Sequence, residues 1–158
     1  MKRFGILAGA LALAAPVLAN GAGDDPVARG RYLVMIAGCN DCHTAGFGPS
    51  GGKVPEAQWL LGDRVGFSGP WGTTYPSNLR LTLGRLGLDE WKRYARNAVL
   101  RPPMPYWALN TMSDADLEAL WRFTRSLGDA GEPAPTALPP GQEPALPVFR
   151  LELPPATP

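Results

Sequence analysis

The sequence is poor in side chains that bind metals or form cross-links. Its 158 residues include one His and two Cys. A disulfide framework is excluded, because a bridge between Cys39 and Cys42 would close almost no loop and remove little entropy from the unfolded chain. A structural zinc site usually takes four Cys or His ligands, so a carboxylate would have to complete the set here.

Excess charge and long apolar runs are also lacking. The formal net charge is +1, which excludes the basic surface typical of nucleic-acid binding. The apolar run at residues 6–18 is too short to span a bilayer comfortably, and it ends in the small-residue pattern of Val17 and Ala19. We expect residues 1–19 to be a cleaved signal peptide and the protein to work in the periplasm. The alternative is an uncleaved N-terminal anchor.

The residues that carry chemistry are concentrated in one short motif. Cys39-Asn40-Asp41-Cys42-His43 is the C-x-x-C-H pattern of c-type haem attachment. A short helical turn presents two thiols to the two vinyl groups of one porphyrin, and the adjacent His lies under the iron. A thioredoxin-like redox pair would need an α/β context, which the sequence does not show. The motif predicts one haem c bound covalently through Cys39 and Cys42, with His43 as an iron ligand.

The second axial ligand has to come from another residue type, because His43 is the only histidine. A Met thioether is the remaining strong candidate. Met1 leaves with the signal peptide, and Met35 lies on the helix before the motif, where we interpret it as core. Met104 lies among prolines in a stiff extended loop, whereas Met112 precedes a helix start and fits a hydrophobic staple. We therefore predict Met104 as the ligand and Met112 as a core residue.

Hydrophobic periodicity predicts three amphipathic helices, at residues 26–37, 89–100 and 114–127. The positions predicted on their apolar stripes are Tyr32, Leu33, Ile36, Trp91, Tyr94, Ala95, Ala98, Val99, Leu117, Leu120, Trp121 and Thr124. The chain thus divides into the signal peptide (1–19), one domain (20–128) and a Pro-rich tail (129–158). We expect residues 146–153 of the tail to lie strand-like on their own domain, and a partner-binding peptide is the alternative.

A long irregular stretch separates the first two predicted helices. Residues 59–65 and 71–75 are candidate arms of a short hairpin. A loop of this length is unusual in a compact domain unless it wraps a large cofactor. Four residues in or beside it are candidates to line the haem edge, where the polar ones would bond propionates: Trp59, Trp71, Tyr75 and Asn78. Ordinary loop packing is an equally open interpretation.

The order of these features resembles class I monohaem cytochromes c, and more narrowly the cytochrome c domains associated with periplasmic dehydrogenases such as alcohol dehydrogenases. The resemblance covers about residues 26–128. Beside the haem motif, the pieces that carry it are Arg29-Gly30-x-Tyr32-Leu33, Gly72-Thr73-Thr74-Tyr75-x-x-Asn78-Leu79, Met104-Pro105-Tyr106 and Met112-Ser113-Asp114.

This resemblance implies a mainly α fold, with orthogonal helices wrapped around one haem, a long irregular loop with at most a short hairpin, and a Pro-rich tail. It implies His43 and Met104 as axial ligands, and Gly30 and Tyr32 where the first helix crosses the last. The chain departs from the pattern at Leu88, where a Thr or Ser cap is usual, and after Asn78, where Thr-Pro-Asp is missing. It has one haem motif, whereas relatives often carry three.

A haem with both axial positions filled by protein has no open site for a substrate, so we expect an electron carrier rather than an enzyme. Its partner would be a redox protein, either a periplasmic dehydrogenase or a terminal oxidase, and membrane association would occur only through that partner or an uncleaved N-terminus. The alternatives are a haem-based sensor or peroxidase-like enzyme with an open sixth position, and a structural partner subunit. Six basic residues give one stretch a positive bias, and this stretch would either steer an acidic partner or form a solvated face. They are Arg80, Arg85, Lys92, Arg93, Arg96 and Arg101.

Overall fold

The computed structural model describes residues 25–152, which are mainly helical with one small sheet. The predicted signal peptide lies outside the described residues. The helices are α1 (Pro26–Ile36), α2 (Cys39–His43), α3 (Leu79–Gly84), α4 (Leu88–Asn97), α5 (Tyr106–Thr111) and α6 (Asp114–Ser126), and a 3-10 turn lies at Glu56–Gln58. The strands are β1 (Gly66–Gly69), β2 (Gly72–Thr74) and β3 (Val148–Arg150). Within residues 25–152, none of the helices has the length and apolar character needed to cross a membrane.

The crossing of α1 and α6 forms the centre of the core. Gly30 is buried there, and a Cβ at this position would overlap the Ala119 carbonyl oxygen. The missing side chain lets the two backbones approach closely. Because the crossing turns Gly30, Leu33 and Val34 inward, the prediction that Tyr32 and Ile36 are buried was wrong: they are 52% and 60% exposed.

The predicted second helix is confirmed as α4, which ends three residues earlier than expected. Its first turn has no Ser or Thr cap, and the Glu90 carboxylate instead accepts a hydrogen bond from the Gly87 N–H at 2.9 Å. Trp91 is buried and donates its indole N–H to the Leu117 carbonyl of α6 at 2.7 Å. Tyr94 and Val99 are exposed, contrary to the prediction. Within α4 only Trp91 and Ala95 are buried, and Val99 lies beyond the end of the helix.

The predicted third helix is confirmed as α6. The Ser113 hydroxyl accepts a hydrogen bond from the Asp116 N–H, as the N-cap pattern predicts. The buried residues are Leu117, Ala119, Leu120, Phe123 and Thr124. Trp121, predicted on the buried stripe, is only half-buried, and its indole N–H donates to the Leu86 carbonyl at 3.0 Å.

The hairpin is formed by β1 and β2, and its first arm is not at residues 59–65 as predicted. Phe67 pairs with Thr74 in the antiparallel hairpin, and Phe67 also pairs with Phe149 of β3, which runs parallel to β1. Residues 59–65 miss the sheet because Trp59 and Leu60 turn into the helical core. The pairing of β3 confirms that part of the tail lies strand-like on its own domain.

Candidate cofactor site at the Cys-Cys-His turn

The short helix α2 presents the Cys-Cys-His motif. Gly38 precedes it with a φ of +68°, and the turn is closed by a hydrogen bond from the Thr44 N–H to the Asn40 carbonyl. Cys39 and Cys42 are half-buried free thiols, with no disulfide between them. Both thiols are therefore chemically available on one helical turn, as covalent attachment to a porphyrin would require.

Burial holds both sulfurs in the thiol form. Desolvation raises the pKa of Cys39 to about 11, with smaller contributions from Asp41 and Cys42. Desolvation also raises the pKa of Cys42, with help from the charges of Asp41 and Asp63. Neither cysteine has the lowered pKa of a thioredoxin-type or catalytic nucleophile.

His43 is buried, with 9% of its surface exposed. Its Nδ1 lies 2.7 Å from the Ser77 carbonyl oxygen, an acceptor that places the proton on Nδ1 and leaves Nε2 with its lone pair free. Burial lowers the pKa of the imidazole, and the hydrogen bond to Ser77 opposes this only in part. The ring is thus held in the neutral form and tautomer that ligates a metal through Nε2.

Two buried polar side chains that the sequence did not indicate as functional hold this turn in place. Asn40 and Thr44 are each 1% exposed, and the Thr44 hydroxyl donates to the Asn40 side-chain oxygen at 2.7 Å. The same hydroxyl accepts a hydrogen bond from the Leu60 N–H at 2.8 Å. Asn40 lies inside the x-x of the C-x-x-C-H pattern, where no residue type is specified, so the motif gave no signal for its role.

Met104 and Met112 occupy different environments. Met112 packs against the hydrophobic core, as its predicted role requires. Met104 is half-buried on the loop between α4 and α5 and is absent from the core cluster of the described residues. Its loop is shaped by flanking prolines and by a hydrogen bond from the Tyr106 N–H to the Met104 carbonyl at 2.9 Å.

The four predicted haem-edge residues separate into two groups. Trp59 is a core residue: it packs edge-on against Phe47 and Phe123, and its indole N–H donates to the Val54 carbonyl at 2.8 Å. Asn78 caps α3, and its amide group donates to the carbonyls of Ala130 and Glu132. With its indole N–H satisfied, Trp59 has no donor left for a propionate, and the amide hydrogens of Asn78 are likewise committed.

Trp71 and Tyr75 lie on the hairpin. Their rings cover Gly69 and Gly66 respectively. The indole Nε1 of Trp71 and the hydroxyl of Thr74 are buried without a hydrogen-bond partner among the residues that the structure describes. Buried polar atoms of this kind are rare in proteins.

The predicted positive stretch does not form one surface. Arg80 is 5% exposed, and its guanidinium donates to five backbone carbonyls, those of Glu56, Ala57, Trp59, Leu127 and Asp129. Lys92 and Arg96 pair with Glu118 and Asp114 of α6. These three cations are therefore engaged within the fold, and the expectation that Arg80 belongs to an exposed charged surface was wrong.

Comparison with known proteins points to cytochrome subunits. The chain is 29% identical over 107 residues to the fructose dehydrogenase cytochrome subunit of Gluconobacter japonicus, covering 61% of this chain and 20% of that one. It is 30% identical over 113 residues to the gluconate 2-dehydrogenase cytochrome c subunit of Pantoea cypripedii, with 65% and 23% covered. It is 31% identical over 152 residues to a nicotinate dehydrogenase subunit of Pseudomonas putida, with 84% and 12% covered.

These similarities support a cytochrome c domain with an electron-transfer role. The chain spans between 12% and 23% of the length of these relatives. No protein-family model and no solved structure matches the chain.

Proposed function

We propose that this protein is a periplasmic electron carrier with one haem c, bound covalently through Cys39 and Cys42 and ligated by His43 and Met104. The observation that carries the proposal is the α2 turn, where two free thiols accompany a neutral His43 whose Nδ1 is bonded to Ser77. When bound, haem would supply a one-electron iron couple at a potential set by its axial ligands and surroundings.

The residues of the turn fit such a group. Cys39 and Cys42 would form the two thioethers, each thiol adding across one vinyl group. The buried His43 would offer Nε2 to the iron, while its bond to Ser77 keeps the ring from rotating. Within residues 25–152, no three His, Cys, Asp or Glu side chains come together as a metal site. A zinc site built on this turn therefore gains no support from the fold.

Trp71 and Thr74 of the hairpin are the candidates for polar contacts at the edge of the proposed haem. Among residues 25–152, the Trp71 N–H and the Thr74 hydroxyl have no hydrogen-bond partner, and the propionate carboxylates of a haem are hydrogen-bond acceptors. Pairing them would satisfy both sets, since a buried unsatisfied polar group costs about 1–3 kcal/mol. We assign propionate binding to Trp71 and Thr74, and leave Trp59 and Asn78 out of it.

The redox partner that we propose is inferred from the relatives of known function. Two of them are named as cytochrome subunits of sugar or sugar-acid dehydrogenases. We infer that this chain relays single electrons between a periplasmic dehydrogenase and a respiratory acceptor. With both axial positions filled by protein it would catalyse no reaction itself.

The assignment of Met104 as the axial ligand predicts which methionine substitution changes the visible spectrum. In the oxidised protein, substituting Met104→Ala should abolish the weak charge-transfer absorption band of a Met–iron bond, whereas Met112→Ala should keep it because Met112 packs in the core. The measurement is the visible spectrum of wild type and both variants, after covalent haem has been verified in denatured protein.

The outcomes separate the two function classes. Loss of the band in Met104→Ala alone supports a closed His–Met carrier. A wild type without the band, which binds carbon monoxide rapidly once reduced, would contradict it and favour a sensor or peroxidase-like enzyme with an open sixth position.

A further inference from the structure

Three backbone segments lie side by side at His43: the α2 turn, residues 60–63, and the segment that contains Pro76 and Ser77. Residues 60–63 lie in the middle and set the distance between the other two. The Gly62 N–H donates to the His43 carbonyl oxygen at 2.8 Å. On its other side, the Asp63 N–H donates to the Pro76 carbonyl at 3.2 Å. Residues 60–63 therefore separate the α2 turn from the segment that carries the Ser77 carbonyl.

Gly62 is the tightest point of this stack. Its φ is +84°, and a Cβ there would lie 2.8 Å from the Pro76 oxygen, 2.9 Å from the Asn78 nitrogen and 3.1 Å from the Ser77 carbonyl carbon. Two of these atoms belong to the Ser77–Asn78 peptide, whose carbonyl oxygen accepts the hydrogen bond from His43 Nδ1. Because they are backbone atoms, they cannot swing aside as a side chain would. Any residue larger than Gly would displace that peptide.

Asn78 anchors the same peptide through the hydrogen bonds of its side chain. Its side-chain oxygen accepts a hydrogen bond from the Leu81 N–H at 3.1 Å, and its amide donates to the Ala130 and Glu132 carbonyls. Asn78 is 4% exposed, so these bonds lie in a dry environment. The close approach of Gly62 and the side-chain bonds of Asn78 thus both hold this peptide, and together we call them the clamp.

We propose that Gly62 and Asn78 are positioning residues for His43: together they aim the Ser77 carbonyl at Nδ1 and so set the strength of that hydrogen bond. The inference rests on the proposed function, in which His43 ligates the iron. A strong bond from Nδ1 raises the basicity of the imidazole and favours the oxidised metal. A substitution that removes the Gly62 or Asn78 constraint should therefore weaken the hydrogen bond from Nδ1 to Ser77 and raise the reduction potential of the iron.

The test exploits the single histidine of the sequence. Protein grown with ¹⁵N-labelled histidine gives one imidazole, so exchange of the Nδ1 proton with solvent can be followed by NMR in the reduced, haem-bearing form. In Gly62→Ala we expect this exchange to be about tenfold faster than in wild type, the change expected when a hydrogen bond of typical net strength is lost. The potential should shift upward.

The matched control is Gly141→Ala. Gly141 has a φ of +82°, nearly that of Gly62, but a Cβ there meets no atom within 4 Å. This variant carries the same backbone strain without the collision, and its exchange rate and potential should stay at the wild-type values. A Gly141→Ala shift equal to that of Gly62→Ala would overturn the proposal, because strain alone would then explain both.

Asn78→Ser tests the other half of the clamp, and it decides the question if Gly62→Ala does not fold. The Ser hydroxyl keeps an N-cap acceptor for α3 but loses both donations to residues 130 and 132. We expect faster Nδ1–H exchange and a raised potential. Wild-type values in folded Asn78→Ser would overturn the proposal.

Failure of the proposed function is visible separately. Wild type without covalent haem would reject the carrier, yet the exchange of Nδ1–H in the haem-free chain would still measure the bond to Ser77. An exchange rate unchanged by Gly62→Ala or Asn78→Ser in that chain would overturn the clamp as well.

Discussion

Arg80 stands out among the single residues because its guanidinium is buried and, among the residues that the structure describes, donates to backbone carbonyls alone. A guanidinium has five N–H donors, and in Arg80 all five are used on backbone carbonyls of three separate segments. The carbonyls come from the 3-10 turn and the residues after it, from the end of α6 and from the start of the tail. Arg80 therefore joins parts of the chain that no regular element connects.

Arg80→Met should destabilise the haem-bearing protein by at least about 3 kcal/mol, because each buried acceptor left without a donor costs about 1–3 kcal/mol. Arg80→Lys should recover part of this, since three donors remain. Urea unfolding at neutral pH measures both. The control is the exposed Arg85→Met, expected within about 0.5 kcal/mol of wild type, and an Arg80→Met loss equally small would refute the role.

The sequence reveals the residues whose chemistry lies in their side chains. The predictions for Cys39, Cys42 and His43 rest on residue type and spacing alone. Ser77 acts through its backbone carbonyl and Gly62 through the absence of a side chain, so neither leaves a signal in residue type. Arg80 was misjudged as a surface cation because local sequence does not show where carbonyls from distant segments converge.

Among the elements, the α1–α6 crossing depends on Gly30. Gly30→Ala would place a methyl group against the Ala119 backbone, so we expect a loss of about 3 kcal/mol or more, at the upper end of overpacking effects. Gly84→Ala at the end of α3 is the matched control, because a Cβ there meets nothing within 4 Å. It should be neutral or slightly stabilising. Thermal unfolding distinguishes the two, and equal stability of both variants would contradict the close approach.

The same crossing is bridged at the surface by Arg29 and Asp116, 2.9 Å apart. The hydrogen bond from Arg29 lowers the pKa of Asp116. A carboxyl with a lowered folded-state pKa contributes stability above its unfolded pKa of about 3.9 and loses it as the pH falls through the folded value.

We therefore expect Asp116→Asn to cost roughly 0.5–1 kcal/mol at pH 7, the range of partly exposed ion pairs, and progressively less as the pH is lowered from 7 toward 2 through the folded-state pKa of Asp116. Arg29→Gln should show a similar loss, and the double variant no more than either alone. Unfolding measured across this pH range checks the cycle. Additive losses would mean that the two groups do not interact.

Long amphipathic helices were predictable, and short or non-local elements were not. The three predicted helices match α1, α4 and α6, each of which is several turns long, although the predicted apolar stripe of α1 is wrong at Tyr32 and Ile36. The six-residue helices α3 and α5 are too short for a period to emerge. The second predicted hairpin arm, residues 71–75, contains β2, but the first was misplaced because β1 pairs partly with Phe149, far along the chain, which no local pattern encodes.

At the scale of the whole molecule, the C-terminal segment (residues 129–152) encloses the hairpin from both edges. Leu138 exchanges two backbone hydrogen bonds with Thr73 on the outer edge of β2. Farther on, β3 pairs with the other edge, on β1. The segment is thus an integral part of the sheet that carries Trp71 and Thr74.

Truncation after Glu132 should release the hairpin while keeping the Asn78 contacts. Amide hydrogen exchange should accelerate at Gly66 and Thr73, whose N–H groups donate to Pro147 and Leu138. The Leu79 N–H donates to Leu60 and should keep its protection, which provides an internal control. Unchanged exchange at both hairpin amides would show that the segment contributes no protection there.

The contact between the first and last helices also imposes an order in time. Arg29 and Asp116 are 87 residues apart in sequence, and contacts of such long range form late, after the loop between them has closed. When the chain becomes available to fold from its N-terminus onward, the thiols of Cys39 and Cys42 are exposed well before α6 has formed and buried their surroundings. The topology thus provides an interval in which both sulfurs are accessible to a group as large as the proposed haem.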